Sequence, residues 1–150
     1  MKRFALTLAL AVGCAAQPHV EVMVPEALAP SKSVAVVRPE GRSFGFDPDR
    51  LQGEIAKGLH RAGFDRVSTE GGRADLVALA SSELMARPLE DDGHFTVERF
   101  RGERVLAVLE IRDSSGTVVY RAVRIDNLSS ALTEARMAAV LVQPLELSGR

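Results

Sequence analysis

Tryptophan is absent from the 150 residues, and there is a single tyrosine. With so few flat side chains, the chain lacks the platforms on which bases and sugar rings stack. One cysteine excludes an intramolecular disulfide and any zinc site built from several thiolates. No sign of charge predominates: 19 basic residues face 20 acidic ones, a formal charge of −1. That balance removes the electrostatic footprint of a nucleic-acid binder, and no nucleic-acid partner is expected. No apolar run reaches the roughly 20 residues that a permanent bilayer span needs. What is present, 46% hydrophobic and 26% charged residues, is ordinary globular usage. The length fits one domain.

The cysteine matters for its position. Met1-Lys2-Arg3 is basic, residues 4–12 are almost wholly apolar, and Gly13-Cys14-Ala15-Ala16 is a cluster of small residues. This is the layout of a bacterial secretory signal. Leu10-Ala11-Val12-Gly13-Cys14 resembles the lipobox of bacterial lipoproteins, in which the signal is cut just before the Cys and the Cys becomes the lipidated N-terminus. Gly13 is the small residue expected before the cut; Ala11 stands where Leu is favoured. The resemblance implies a signal peptide over residues 1–13 and lipidation at Cys14. Several acyl chains on one residue hold a protein stably at a membrane, where one chain holds it marginally. Ala15 directly after the Cys resembles lipoproteins sorted to the outer membrane. The alternative is cleavage after Ala16, which would leave a soluble secreted protein without cysteine. Removing Lys2 and Arg3 from the 19 basic residues leaves 17 against 20 acids, a formal charge of −3 for the mature chain.

Pro18, Pro25 and Pro30 argue against helix after the Cys, so residues 14–32 read as the lipidated Cys and a tether. Within it, residues 19–24 alternate polar and apolar and could add a short strand. A single domain is expected over residues 33–144, with a frayed tail at 145–150. Ser33 to Arg38 reads as its first core strand. Asp47-Pro48 opens a helix, the Asp capping free N–H groups and the Pro suited to the first helical position. Leu51, Ile55, Leu59 and Ala62 line one face, and Gly63-Phe64 closes the helix. Gly53 and Gly58 weaken it and allow close packing on the sheet. Residues 69–73 read as a turn and residues 74–80 as a strand continuing towards Met85. An acidic loop from Pro88 to Gly93 and a strand over Phe95 to Phe100 follow. A hairpin covers Val105 to Asp126, with its turn at Asp113-Ser114-Ser115-Gly116. Ser129 or Ser130 caps a last helix that ends near Val142, before Pro144. The expected fold is α+β: a two-layer sandwich in β-α-β-β-β-α order, with two helices on one face of a mixed four- to five-stranded sheet.

Residues 46–48, 59–67, 74–77, 102–113 and 118–122 together resemble a group of small bacterial cell-envelope lipoproteins of unknown function. That family has a signal and lipobox, a strand, a helix closed by an apolar-Gly-aromatic cap, and a short link to Ala-Asp-Leu-Val, here Ala74-Asp75-Leu76-Val77. Its members carry Trp-Arg-Gly where this chain has Tyr120-Arg121-Ala122. The resemblance spans residues 33–144, rests on structural motifs, and transfers no catalytic residue. Lipopolysaccharide-assembly lipoproteins have a similar element order, but their Gly-Phe-x-Leu-Arg-Gly start after the Cys is absent here.

Chemistry-bearing clusters are few. His19 falls in the tether and His60 on the polar side of the first helix. His94 follows Glu90-Asp91-Asp92-Gly93, where carboxylates and an imidazole could hold a divalent cation. The spacing matches no calcium loop, so a solvated acidic turn is expected and no metal is assigned. No serine sits in Gly-x-Ser-x-Gly; Ser81-Ser82-Glu83 and Ser129-Ser130 read as strand and cap residues. Residues 41–45 contain glycine but lack the Lys-Ser/Thr of a P-loop. Arg99, Arg101 and Arg104 alternate with Glu98 and Glu103 as on a salt-bridged hairpin. No enzyme and no cofactor are expected. The functional expectation is a lipid-anchored lipoprotein on the periplasmic side of the outer membrane, with a binding, structural or assembly role. It would meet the membrane through its anchor and envelope proteins or lipids through its domain. A lipid or glycolipid carrier with an apolar cavity is the alternative.

Overall fold

A computed structural model describes residues 18–39, 46–85, 104–127 and 132–149. Six strands form one mixed sheet and two α-helices pack on it. The strands are β1 (His19–Met23), β2 (Ser33–Val37), β3 (Arg66–Ser68), β4 (Leu76–Met85), β5 (Arg104–Asp113) and β6 (Val118–Asn127). The helices are α1 (Pro48–Arg61) and α2 (Glu134–Ser148). The sheet order is β1-β6-β5-β4-β2-β3. The α+β class therefore stands, with six strands instead of four or five.

β2 lies parallel to both β3 and β4, whereas β4, β5 and β6 form an antiparallel meander that β1 extends. Alternation decides which side of each strand faces the helices. Val105, Ala107, Leu109 and Ile111 of β5 are buried, and Leu76, Ala78 and Ala80 of β4 sit beside them. Leu51, Ile55 and Leu59 of α1 join that core, as do Met137, Leu141, Val142 and Leu145 of α2. Each such Leu or Ile contributes about 1.5–3 kcal/mol by leaving water.

α1 starts and stops as its sequence dictates. The Asp47 side chain accepts from the N–H groups of Asp49 (2.9 Å) and Arg50 (3.2 Å). At the other end Phe64 N–H donates to Leu59 O and Gly63 N–H to His60 O, the paired bonds of a Schellman cap, with Gly63 at φ 105°. Phe64 is buried beneath it. Gly58 meets α2 instead of the sheet: a Cβ there would lie 3.1 Å from Val142 Cγ2.

The short strand read at residues 19–24 is present as β1, which pairs with β6 through a bulge between Val20 and Val22. Two features differ from expectation. A three-residue β3, Arg66–Ser68, lies between the α1 cap and the turn expected at 69–73. Thr133 caps α2, and the helix continues through Pro144 to Ser148, absorbing most of the expected tail. The expected strand at 95–100, the acidic loop at 88–93 and the caps at Ser129 or Ser130 lie outside the described residues.

Candidate functional site

The helices cover one face of the sheet, and the other face is where the described surface is most organised. The register fixes its rows. Leu79, Glu110, Arg121 and Val22 lie side by side across four strands, and the next row carries Ser81, Val108, Val123 and His19. Beyond these come Glu83, Leu106 and Ile125. Ile125 is 46% exposed. Leu79, Leu106, Val108 and Val123 are half-buried by their neighbours alone.

An ion-pair ladder crosses this apolar surface. Arg112 grips Glu110 through Nη2 at 2.7 Å and Nε at 3.1 Å. Arg121 Nη1 lies 3.6 Å from Glu110 Oε2, and Arg121 Nε lies 2.8 Å from Glu21 Oε2. Arg121 Nε is also buried without an aligned acceptor, so its contact with Glu21 is Coulombic and not a directional hydrogen bond. The ladder ties β1, β6 and β5 together in a flat polar stripe with apolar residues on both sides.

A second polar group sits where the parallel strands begin. Asp75 Oδ2 accepts from both the N–H and the hydroxyl of Ser33, each at 2.8 Å, and its own N–H donates to Ser33 Oγ at 3.0 Å. These bonds, the Ser33 backbone N–H first, hold the Asp75 carboxyl below its ordinary range despite some desolvation. Arg66 donates to Ser31 O at 2.6 Å and stands 3.8 Å from Asp75. A pocket of about 220 Å³ opens here, lined by Ser33–Ala35, Asp65–Ser68 and Gly71–Ala74. Gly71 and Gly72 have φ of 79° and 115°, the left-handed region that favours glycine, so the chain can turn back from β3 to β4. Ala35 is buried yet stands apart from the main core, where this returning segment meets β2.

A third group faces the helices. Arg124, 9% exposed, donates from Nη2 to Asp126 Oδ2 at 2.8 Å, while its Nε is buried without a partner. Ser82 Oγ, buried and equally unpartnered, lies in the same row across Ala107. Burial alone would raise the Asp126 carboxyl; the bonds from Arg124 and the Asn127 N–H outweigh it and hold it below its usual range.

The residues singled out from sequence scatter. His19 opens β1 and is exposed, and Arg104 opens β5, also exposed. His60 is exposed on α1, with Nδ1 3.0 Å from Phe64 O. Ser82 and Glu83 lie in β4. Cys14, residues 41–45, Glu90 to His94, Arg99 and Arg101 lie outside the described residues. No group of three His, Cys, Asp or Glu side chains suited to a metal ion occurs among the described residues. No described helix is long and apolar enough to cross a membrane. The ladder escaped sequence reading, although its signal was there: Glu110 and Arg112 are two apart on the face opposite Leu109 and Ile111.

No protein-family model matches the sequence, and no curated protein does. Solved structures do. Two crystal forms of the PelC dodecamer from Paraburkholderia phytofirmans, one of a single-substitution variant, align with a TM-score of 0.60. They are 20% identical and cover 87% of this chain and 96% of theirs. A PDZ domain protein from Parabacteroides distasonis aligns with a TM-score of 0.50 at 12% identity, over 78% of this chain and 31% of that one. At these identities the likeness is one of fold.

Proposed function

We propose that this chain is a lipid-anchored lipoprotein of the bacterial envelope, facing the periplasm from the outer membrane, with a non-enzymatic binding or assembly role. The observation that carries the reading is the basic, apolar and small-residue start that ends in Cys14. The fold supports a docking role. Its helices cover one sheet face, and the opposite face presents Leu106, Val108 and Val123 beside an ion-pair ladder. A flat apolar surface with a polar stripe suits another protein surface better than a small substrate. PelC, of similar fold, is a dodecamer, which makes association between copies a natural form for the assembly role.

The carrier reading asks for an apolar cavity between helices and sheet. Among the described residues that layer is closed by Leu51, Ile55, Leu59, Tyr120, Leu141 and Val142, all almost fully buried.

Fractionation of cells expressing the native chain and Cys14→Ala tests the proposal. The native protein should enter the membrane fraction and incorporate labelled fatty acid. The variant should lose the label and remain unprocessed or leave the membrane. Unchanged labelling and fractionation of the variant would overturn the anchor.

A further inference from the structure

Only residues 15–18 separate Cys14 from the first residue of β1. Five Cα-to-Cα steps span at most about 18 Å at full extension. An anchor at Cys14 therefore leaves the domain little freedom to turn. His19 pairs with Val123, towards the end of the sheet where β6 finishes at Asn127 and β5 starts at Arg104. Both helices begin at this end, and the side chain of Glu134 on α2 accepts from the N–H of Asp47, the α1 cap, at 2.9 Å.

The opposite end carries the β5–β6 turn at Ser115. Val108, level with His19 in the sheet, is seven residues from Ser115, about 20–23 Å along a strand at 3.3 Å per residue. The linker cannot reach that far, so the Ser115 end cannot face the bilayer. At the His19 end, Ile125 offers an exposed apolar side chain.

We infer that the sheet end formed by His19, Arg104 and Ile125 faces the lipid surface, so that the strands stand on the membrane and the Ser115 turn points away from it. This orientation rests on the anchor reading above and adds to it the surface that meets the lipid.

The test uses full-length lipidated protein purified from membranes and reconstituted in phosphatidylcholine vesicles with a headgroup spin-labelled lipid. Cys14 is consumed by the anchor, so Ile125→Cys and Ser115→Cys each carry one reactive thiol for a fluorophore. Arg104→Cys replaces Ile125→Cys if the latter does not fold. Quenching at least twofold stronger at 125 or 104 than at 115 is expected. Mass spectrometry of the N-terminal peptide reads acylation separately. Acylated protein with equal or inverted quenching overturns the orientation and leaves the anchor standing. An unacylated Cys14 overturns the anchor reading and the orientation with it.

Discussion

The hydroxyl of Tyr120 donates to the backbone carbonyl of Leu141 at 2.5 Å, in the turn of α2 that Pro144 interrupts. Proline has no N–H, so the carbonyl four residues back, that of Val140, loses its helical donor. Leu141 O is the next carbonyl along. Tyr120, fully buried on β6, adds a side-chain donor to it and ties the sheet to this turn of the helix. Burial in this setting pushes the phenol pKa well above its ordinary value, so the group stays a donor at any working pH.

Tyr120→Phe keeps the ring and removes the donor. A loss of about 1 kcal/mol is expected, the net worth of one hydrogen bond. Urea unfolding measures it, and an unchanged transition midpoint would show that the hydroxyl contributes nothing.

The two glycines of α1 should respond oppositely to alanine. At Gly53 the space that a Cβ would take is open, so Gly53→Ala gains helix propensity and stabilises by about 1 kcal/mol. At Gly58 the added atom meets all of the Val142 side chain within 3.4 Å. Val142 is fully buried and β-branched, with little room to yield. Gly58→Ala should therefore destabilise, and Val142→Ala in the same chain should relieve it. Thermal unfolding of the three variants decides the matter.

Asp75 gives a pH signature. Its pKa is depressed in the folded state, so its contribution to stability is complete above the unfolded value of about 3.9 and fades as pH falls through the folded one. Ser33→Ala removes the hydroxyl that bonds both the carboxylate and the Asp75 N–H. The Asp75 pKa should rise towards the ordinary carboxylate value, and the loss of stability on acidification should begin at higher pH. Carboxyl NMR titration of Asp75 would show no movement if the Ser33 bonds were not the cause.

Glu110 holds two arginines and is only 16% exposed. Glu110→Gln should cost about 1 kcal/mol, more than an exposed pair is worth, and raise the mobility of Arg112 and Arg121. A denaturant midpoint identical to the native one would show that the ladder adds nothing to stability.

What could be read from sequence divides by range. Asp47-Pro48 and Gly63-Phe64 act on the backbone within four residues, and both helix ends fall where those residues put them. The turn at Asp113 is equally local: the Asp113 carboxylate accepts from the N–H groups of Ser115 and Thr117. β1 is different. Its five residues alternate weakly, and it becomes a strand because β6, far along the chain, offers it an edge. Pro144 misled for the same reason: α2 continues past it because Leu141, Val142 and Leu145 are buried against other elements. The candidate surface lagged further, since the ladder joins Glu21, Glu110, Arg112 and Arg121 from three strands. No single segment displays it.

β1 is the first strand of the chain and the outermost on its side of the sheet, antiparallel to β6. A force applied through the N-terminus along the strand axis strains the β1–β6 hydrogen bonds together, in shear. Peeling the edge sideways would break them one after another and take far less force. Were the chain anchored at Cys14 as proposed, a partner drawn away from the bilayer would load β1 in the first of these ways, the direction in which an antiparallel pair resists most.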